Sequence, residues 1–169
     1  MFDPELVAQA ADILAAARSK GVMLATAESC TGGLVAAVLT AVPGSSDAVF
    51  GGTVTYANEA KIALGVPADV LADNGAVSEA VARALAEAAR MGALAAGAPR
   101  PVIAVAVTGV AGPGGGSAEK PVGLVHFGAA GPGENCTRHR EMRFGDIGRD
   151  AVRKASVYVA FELLREALR

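Results

Sequence analysis

The chain has 169 residues, 52% hydrophobic and 19% charged, which suits one well-packed domain over residues 1–169 and excludes a disordered polymer. A formal net charge of −2 excludes the broad cationic surface that holds duplex nucleic acid. No apolar run is long enough to span a bilayer, and the acidic start Met1-Phe2-Asp3-Pro4-Glu5 is unlike a signal peptide. With Cys30 and Cys136 far apart in sequence, these features predict a cytoplasmic protein with reduced thiols.

In chain order, Pro4 to Lys20 reads as a helix, with Asp3 as N-cap, Pro4 at the first helical position and Gly21 as stop. Val22 to Thr26 is a short buried strand, and Thr31 opens an apolar helix that Pro43-Gly44 ends. Val49 to Tyr56 is a second strand, followed by short helices at Asn58 to Leu64 and Ala68 to Asp73. Ser78 caps a long helix through about Ala96, with Glu79 in its first turn. Val102 to Val107 is continuously apolar, as a strand covered on both faces is. Leu124 to Ala129 and Cys136 to Phe144 read as a hairpin around Gly131-Pro132-Gly133, and a last helix starts near Ile147. This order predicts an α/β fold, a three-layer α/β/α sandwich with a mixed sheet, whose ligands bind at the carboxyl ends of the strands.

Three segments could carry chemistry there. Thr26-Ala27-Glu28-Ser29-Cys30-Thr31-Gly32-Gly33 joins a strand to a helix, so its N–H groups and hydroxyls could face an anion. The plain alternative is an N-cap with glycines for close packing. Ser29 or Cys30 could be a nucleophile, but neither has a partner base nearby in sequence. Thr108-Gly109 opens a glycine-rich loop through Gly116 and Ser117. It lacks the Gly-Lys-Ser/Thr of a P-loop and the third glycine of a dinucleotide site, so neither ATP hydrolysis nor NAD redox chemistry is supported. Glu119-Lys120-Pro121 could fold back over a ligand as a lid. The third segment runs from Gly44-Ser45-Ser46 to Tyr56-Ala57-Asn58-Glu59-Ala60-Lys61.

In that third segment a hydroxyl, a phenol and an amine lie within sixteen residues. A helix start and burial both favour a neutral Lys61, which could activate serine as a general base with help from Tyr56. On residue type alone, Lys61 is an ordinary solvated lysine, and spacing does not place Ser46 beside it. Arg149 and Arg153, four apart on the last helix, could hold a phosphate or pair with Asp146 or Asp150. His126 and His139 are too few and too scattered for a metal site, so no metal and no cofactor is expected.

Taken together, these segments resemble the CinA C-terminal-domain family, with Val54-Thr55 and Gly75-Ala76-Val77-Ser78-Glu79 completing the pattern. Characterised members of that family are nicotinamide-nucleotide amidohydrolases. The resemblance implies hydrolysis of the carboxamide of nicotinamide mononucleotide (NMN) to nicotinate mononucleotide and ammonia. It implies Ser46 as nucleophile, with Tyr56 and Lys61 moving protons. It also implies substrate contacts from Ser29, Thr31, Gly32, Ser45, Thr108 and Gly109, with Arg149 or Arg153 on the phosphate. In this chain Ile147-Gly148 separates Gly145-Asp146 from Arg149, where the family pattern runs directly into arginine. A catalytically silent nucleotide-binding partner domain is the alternative. The apolar helices further suggest a homo-oligomer.

Overall fold

Apolar periodicity divides this chain into helices with one buried face and strands buried on both, and the computed structural model, which describes residues 2–133 and 137–169, layers them accordingly. Helix α1 (Pro4–Lys20) starts where Asp3 Oδ1 accepts the Glu5 N–H and ends at Gly21, whose φ of +64° suits a residue without a Cβ. Strand β1 (Met23–Glu28) leads to α2 (Leu34–Thr40), a 3₁₀ turn at Ser45–Asp47 and strand β2 (Val49–Val54). Then come α3 (Asn58–Leu64), α4 (Ala68–Asn74) and α5 (Glu79–Ala95), the last capped by Ser78 Oγ on the Val81 N–H. Strands β3 (Val102–Gly109), β4 (Leu124–Ala130) and β5 (Thr137–Arg143) precede α6 (Arg149–Ala167). The expected first residue of β5, Cys136, lies outside the described residues.

The sheet order is β2-β1-β3-β4-β5. Strand β1 pairs in parallel with β2 and β3, while β3 with β4 and β4 with β5 are antiparallel. The sheet is therefore mixed, and helices cover both faces. Ile103, Val105 and Val107 point into one apolar core with α1, α2 and α6, and Val102, Ala104 and Ala106 point into the other with α5. This alternation is the period-two rule of a strand buried on both sides. The α5 face is built from small residues because the helix lies close to the sheet. A Cβ at Gly128 would sit 2.2 Å from the Ala82 carbonyl oxygen.

Strands β1 and β3 end later than their sequence patterns suggest, at Glu28 and Gly109, β2 ends earlier, at Val54, and α2 starts three residues later than expected, at Leu34. The turn in between belongs to the site. Chain connections leave β1 for β2 on one side and return to β3 on the other. The crevice at the carboxyl end of β1 is thus a topological switch point, where open α/β sheets bind ligands. Among the described residues no helix is long and apolar enough to cross a membrane.

Candidate active site

At that switch point lies a cavity of about 280 Å³, near the lower end of the ~300–1,000 Å³ range of small-molecule sites. Its wall combines Ser29 and Cys30 after β1, Tyr56, Asn58 and Lys61 after β2, and Thr108 and Gly109 at the end of β3 with the glycine loop that follows, while Arg149 opens α6. A larger cavity of about 510 Å³ is lined by Leu64, Pro67, Met91 and neighbours with almost no convergent polar groups. The polar and titratable side chains converge on the smaller one.

Lys61 is 1% exposed, the least expected state for a lysine. Its Nζ lies 2.7 Å from the Thr55 carbonyl oxygen, 3.2 Å from the Tyr56 carbonyl oxygen and 3.3 Å from Ser29 Oγ. Burial pushes its pKa below the ordinary lysine value. A neutral amine has two N–H donors and one lone pair. The two carbonyls can only accept, so in the neutral form they take the donors and leave the lone pair for the Ser29 hydroxyl, whereas the protonated form donates to all three oxygens. The neutral form has the arrangement of a general base on a serine nucleophile.

Register explains how residues 32 positions apart meet. Parallel pairing sets Glu28 opposite Val54, and the Thr55 N–H donates to the Glu28 carbonyl at 2.7 Å. Ser29 therefore leaves the sheet beside Thr55 and Tyr56, and one turn of α3 folds Lys61 back over the same edge. The Ser29 N–H is anchored on the Val107 carbonyl of β3 at 2.9 Å.

Ser46 is the correction. It is exposed in the 3₁₀ turn that precedes β2, at the amino end of the strand, whereas Tyr56 and Lys61 follow the carboxyl end. Six strand residues intervene, or ~20 Å at about 3.3 Å each. Ser45 is buried in the same turn, its N–H on the Val42 carbonyl. Arg18 ties this corner to α1 through Asp47 at 2.9 Å and the Gly44 carbonyl at 3.0 Å. Neither Ser45 nor Ser46 lines the cavity.

The other expected residues divide. Thr108 and Gly109 line the cavity; Thr108 Oγ1 donates to the Ala76 carbonyl at 2.7 Å, and a Cβ at Gly109 would lie 2.7 Å from the Leu124 carbonyl oxygen. Arg149 also lines it, donating to Tyr56 Oη at 2.8 Å and the Gly112 carbonyl at 2.9 Å. Tyr56 Oη is thus joined to the arginine, and it is the main-chain carbonyl of Tyr56 that meets Lys61. Arg153 lies behind the turn instead, donating to the Thr31 carbonyl at 3.1 Å, with Asp150 at 3.8 Å. Gly32 and the buried Thr31 shape that turn and do not line the cavity. Lys120, expected in a lid, reaches the Asn74 carbonyl at 2.7 Å.

Two further expectations change. The N–H groups at the start of α2, read as an anion site, are taken by the chain's own Glu28 carboxylate, which accepts from Gly33, Val35 and Ala36. Cys30 gains no activation from this helix start; burial pushes its thiol up to about 12, so it is not a thiolate nucleophile. His126 and His139, scattered in sequence, meet across β4 and β5 with Nδ1 and Nε2 3.0 Å apart. Among the described residues they join no cluster of three or more His, Cys, Asp or Glu able to hold a metal.

Sequence reading missed Glu28, and it ranked Ser29 below Ser46. The available signal was an acidic residue directly after an apolar strand and before a glycine pair, a place where a solvated carboxylate is out of keeping with its neighbours.

Comparison with known proteins agrees with the geometry of the fold. The family described as CinA C-terminal domain matches residues 7–168. A CinA-like protein of Anaeromyxobacter dehalogenans is 52% identical over 158 residues, covering 93% of this chain and 36% of its own length. One from Synechococcus is 53% identical over 157 residues, covering 90% of this chain and 35% of its own. The chain thus spans about a third of the length of these curated relatives. The crystal structure of the competence/damage inducible protein CihA from Agrobacterium tumefaciens superposes with a TM-score of 0.91 at 45% identity, covering 100% of this chain and 99% of that one. A CinA superfamily protein from Klebsiella pneumoniae gives 0.82 at 36% identity, covering 97% of this chain and 96% of its own. With its family match running almost from end to end, the chain belongs to the CinA C-terminal domain family.

Proposed function

We propose that this chain is an amidohydrolase that converts the carboxamide of NMN to nicotinate mononucleotide and ammonia, with Ser29 as nucleophile and Lys61 as base. The observation that carries this reading is the buried Lys61 amine, held by two carbonyl oxygens with its remaining valence towards Ser29 Oγ. The choice of substrate rests on the family resemblance of the motifs that line the cavity. Ser29 takes the role that the resemblance gave to Ser46, because Ser29, and not Ser46, lies within hydrogen-bond distance of the lysine.

Lys61 accepts the Ser29 proton as Oγ bonds to the carboxamide carbon, and the carbonyl π electrons move to oxygen. The tetrahedral intermediate collapses as Lys61 returns the proton to the amide nitrogen, and the C–N bond breaks to release ammonia. Water activated by the same lysine then cleaves the nicotinoyl ester and restores Ser29. The oxyanion donors come from the backbone of the turn that carries Ser29, since Ser45 and Ser46 lie at the amino end of β2. Arg149 and the backbone of the glycine loop hold the ribose phosphate, and Tyr56 orients Arg149 through its hydroxyl. The reading carries with it a cytoplasmic homo-oligomer that needs no metal or cofactor.

The length of the curated relatives favours one second reading, a nucleotide-binding domain that serves a larger protein without turning its ligand over. Incubation with NMN separates the two. The amidohydrolase releases ammonia and nicotinate mononucleotide in equal amounts, and Ser29→Ala stops both while still binding NMN. Binding with no ammonia from the wild-type chain selects the silent domain.

A further inference from the structure

We propose that Glu28 is the positioning residue of this site: its buried carboxylate holds the backbone of the Ser29–Gly33 turn so that the Ser29 hydroxyl stays against the Lys61 amine. The inference rests on the reading of Ser29 and Lys61 as the reacting pair.

Glu28 is the last residue of β1 and 1% exposed. One carboxylate oxygen, Oε2, accepts the N–H groups of Gly33 at 3.1 Å and Val35 at 3.0 Å. The other, Oε1, accepts the Ala36 N–H at 2.9 Å and the Thr26 hydroxyl at 3.2 Å. A buried carboxylate is costly unless its lone pairs are occupied, and here four donors converge on it. An ordinary N-cap is a short side chain beside the helix start. In this chain the N-cap position is Gly33, which makes no side-chain cap, and the carboxylate arrives from the strand five residues earlier. Spanning Ser29 to Gly32 is what distinguishes it from a cap. It closes the nucleophile turn into a ring.

The main chain of the same residue holds the other half of the pair. The Glu28 carbonyl accepts the Thr55 N–H at 2.7 Å, and the carbonyls of Thr55 and Tyr56 hold Lys61. Glu28 thus ties the nucleophile through its side chain and the base through its backbone. The fold also makes room for it. A Cβ at Gly52 would lie 2.5 Å from Thr26 Oγ1 and 2.7 Å from the Ala36 Cβ, so β2 has no side chain where the network passes. Gly33, at φ +96°, adopts the left-handed backbone that precedes α2.

The test compares Glu28→Gln and Thr26→Val with wild type in the full chain, by steady-state kinetics on NMN, thermal denaturation and amide hydrogen exchange. The glutamine turns an NH₂ group towards N–H donors, so one side of the ring opens. Displacement of a reacting group by about 1 Å costs roughly 100-fold, so kcat of folded Glu28→Gln falls by that order. KM stays within about threefold, because Thr108, Gly109 and Arg149 are untouched, and exchange protection at Gly33, Val35 and Ala36 is lost. Thr26→Val removes one donor of the network and lowers kcat by ~3- to 10-fold. A merely structural role would lower the denaturation midpoint and leave the kcat of folded protein intact. Unchanged kcat in Glu28→Gln, or a loss carried by KM alone, overturns the proposal. Should Glu28→Gln not fold, an unchanged kcat in Thr26→Val does the same. If wild type releases no ammonia from NMN, the amidohydrolase reading fails separately; retained exchange protection in Glu28→Gln then overturns the clamp on its own.

Discussion

Two turns of this molecule carry a serine and glycine beside a helix, and one of them sets its serine against a buried amine. At the carboxyl ends of the strands, Ser29 is nearly buried, its N–H is anchored on β3, and a buried lysine lies 3.3 Å from its hydroxyl. At the amino end of β2, Ser46 is exposed in a 3₁₀ turn that Arg18 clamps to α1 through Asp47 and the Gly44 carbonyl. Both serines have the same intrinsic nucleophilicity. The difference is the partner: one faces an amine whose burial disfavours its charged form, the other faces water. A serine becomes a candidate nucleophile through its neighbours in space, and closeness in sequence to a lysine is a poor substitute.

The largest effect should break or uphold this comparison directly. Ser29→Ala is expected to lower kcat for NMN by at least ~10³-fold, while Ser46→Ala stays within about twofold. Comparable losses in both, measured as ammonia release by folded protein, would return Ser46 to the site.

Next in size is Lys61. Lys61→Met should cost ~10²- to 10⁴-fold in kcat, the range of a lost general base. Lys61→Arg should not restore it, because a guanidinium stays protonated. A guanidinium variant that keeps half the activity would show that charge, not a lone pair, is what the site uses. With wild type, activity rises as pH increases through the Lys61 pKa, so the acid limb of the profile lies below the ordinary lysine value of 10.5.

Smaller changes are expected on the binding side of the cavity. Arg149→Ala removes a charged donor and should raise KM by ~10- to 100-fold, with less change in kcat. Tyr56→Phe should act in the same direction by ~3- to 10-fold, since it loses the bond to Arg149 and keeps the carbonyl that holds Lys61. A pure kcat effect in Tyr56→Phe would instead make the phenol a proton carrier.

The smallest signal is in stability. The folded state lowers the Lys61 pKa, so the unfolded chain binds more protons between that value and 10.5. Stability from this group therefore rises with pH across that window, and the penalty is fully present below it. Denaturant titrations at stepped pH should show the rise in wild type and its absence in Lys61→Met. An identical slope in both would mean that the amine is not significantly desolvated.

Much of the fold was legible locally. Asp3-Pro4 and Gly21 mark α1, Ser78 and Glu79 start α5, and the continuous apolar run from Val102 marks a strand covered on both faces. The cavity's glycine loop after β3 and Arg149 were legible for the same reason: strand ends and helix starts can be read from neighbours a few residues away. Thr31, Gly32 and Arg153 belonged to the right region and the wrong side of it, since which face of a turn meets solvent depends on α6 packing behind it. Glu28 was hidden because its four donors include the backbone of a helix whose start cannot be read from side chains alone.

By itself the amino-acid sequence determined the element order, the mixed sheet between helical layers and the set of loops at the strand ends. These follow from hydrophobic period and capping chemistry, which act over a few residues. Only the tertiary structure decided which hydroxyl meets the lysine. That choice depends on parallel register between β1 and β2, which sets Glu28 opposite Val54 and leaves Ser46 at the far end of the sheet. Register is a contact between distant segments, and a sixteen-residue stretch of chain contains no record of it.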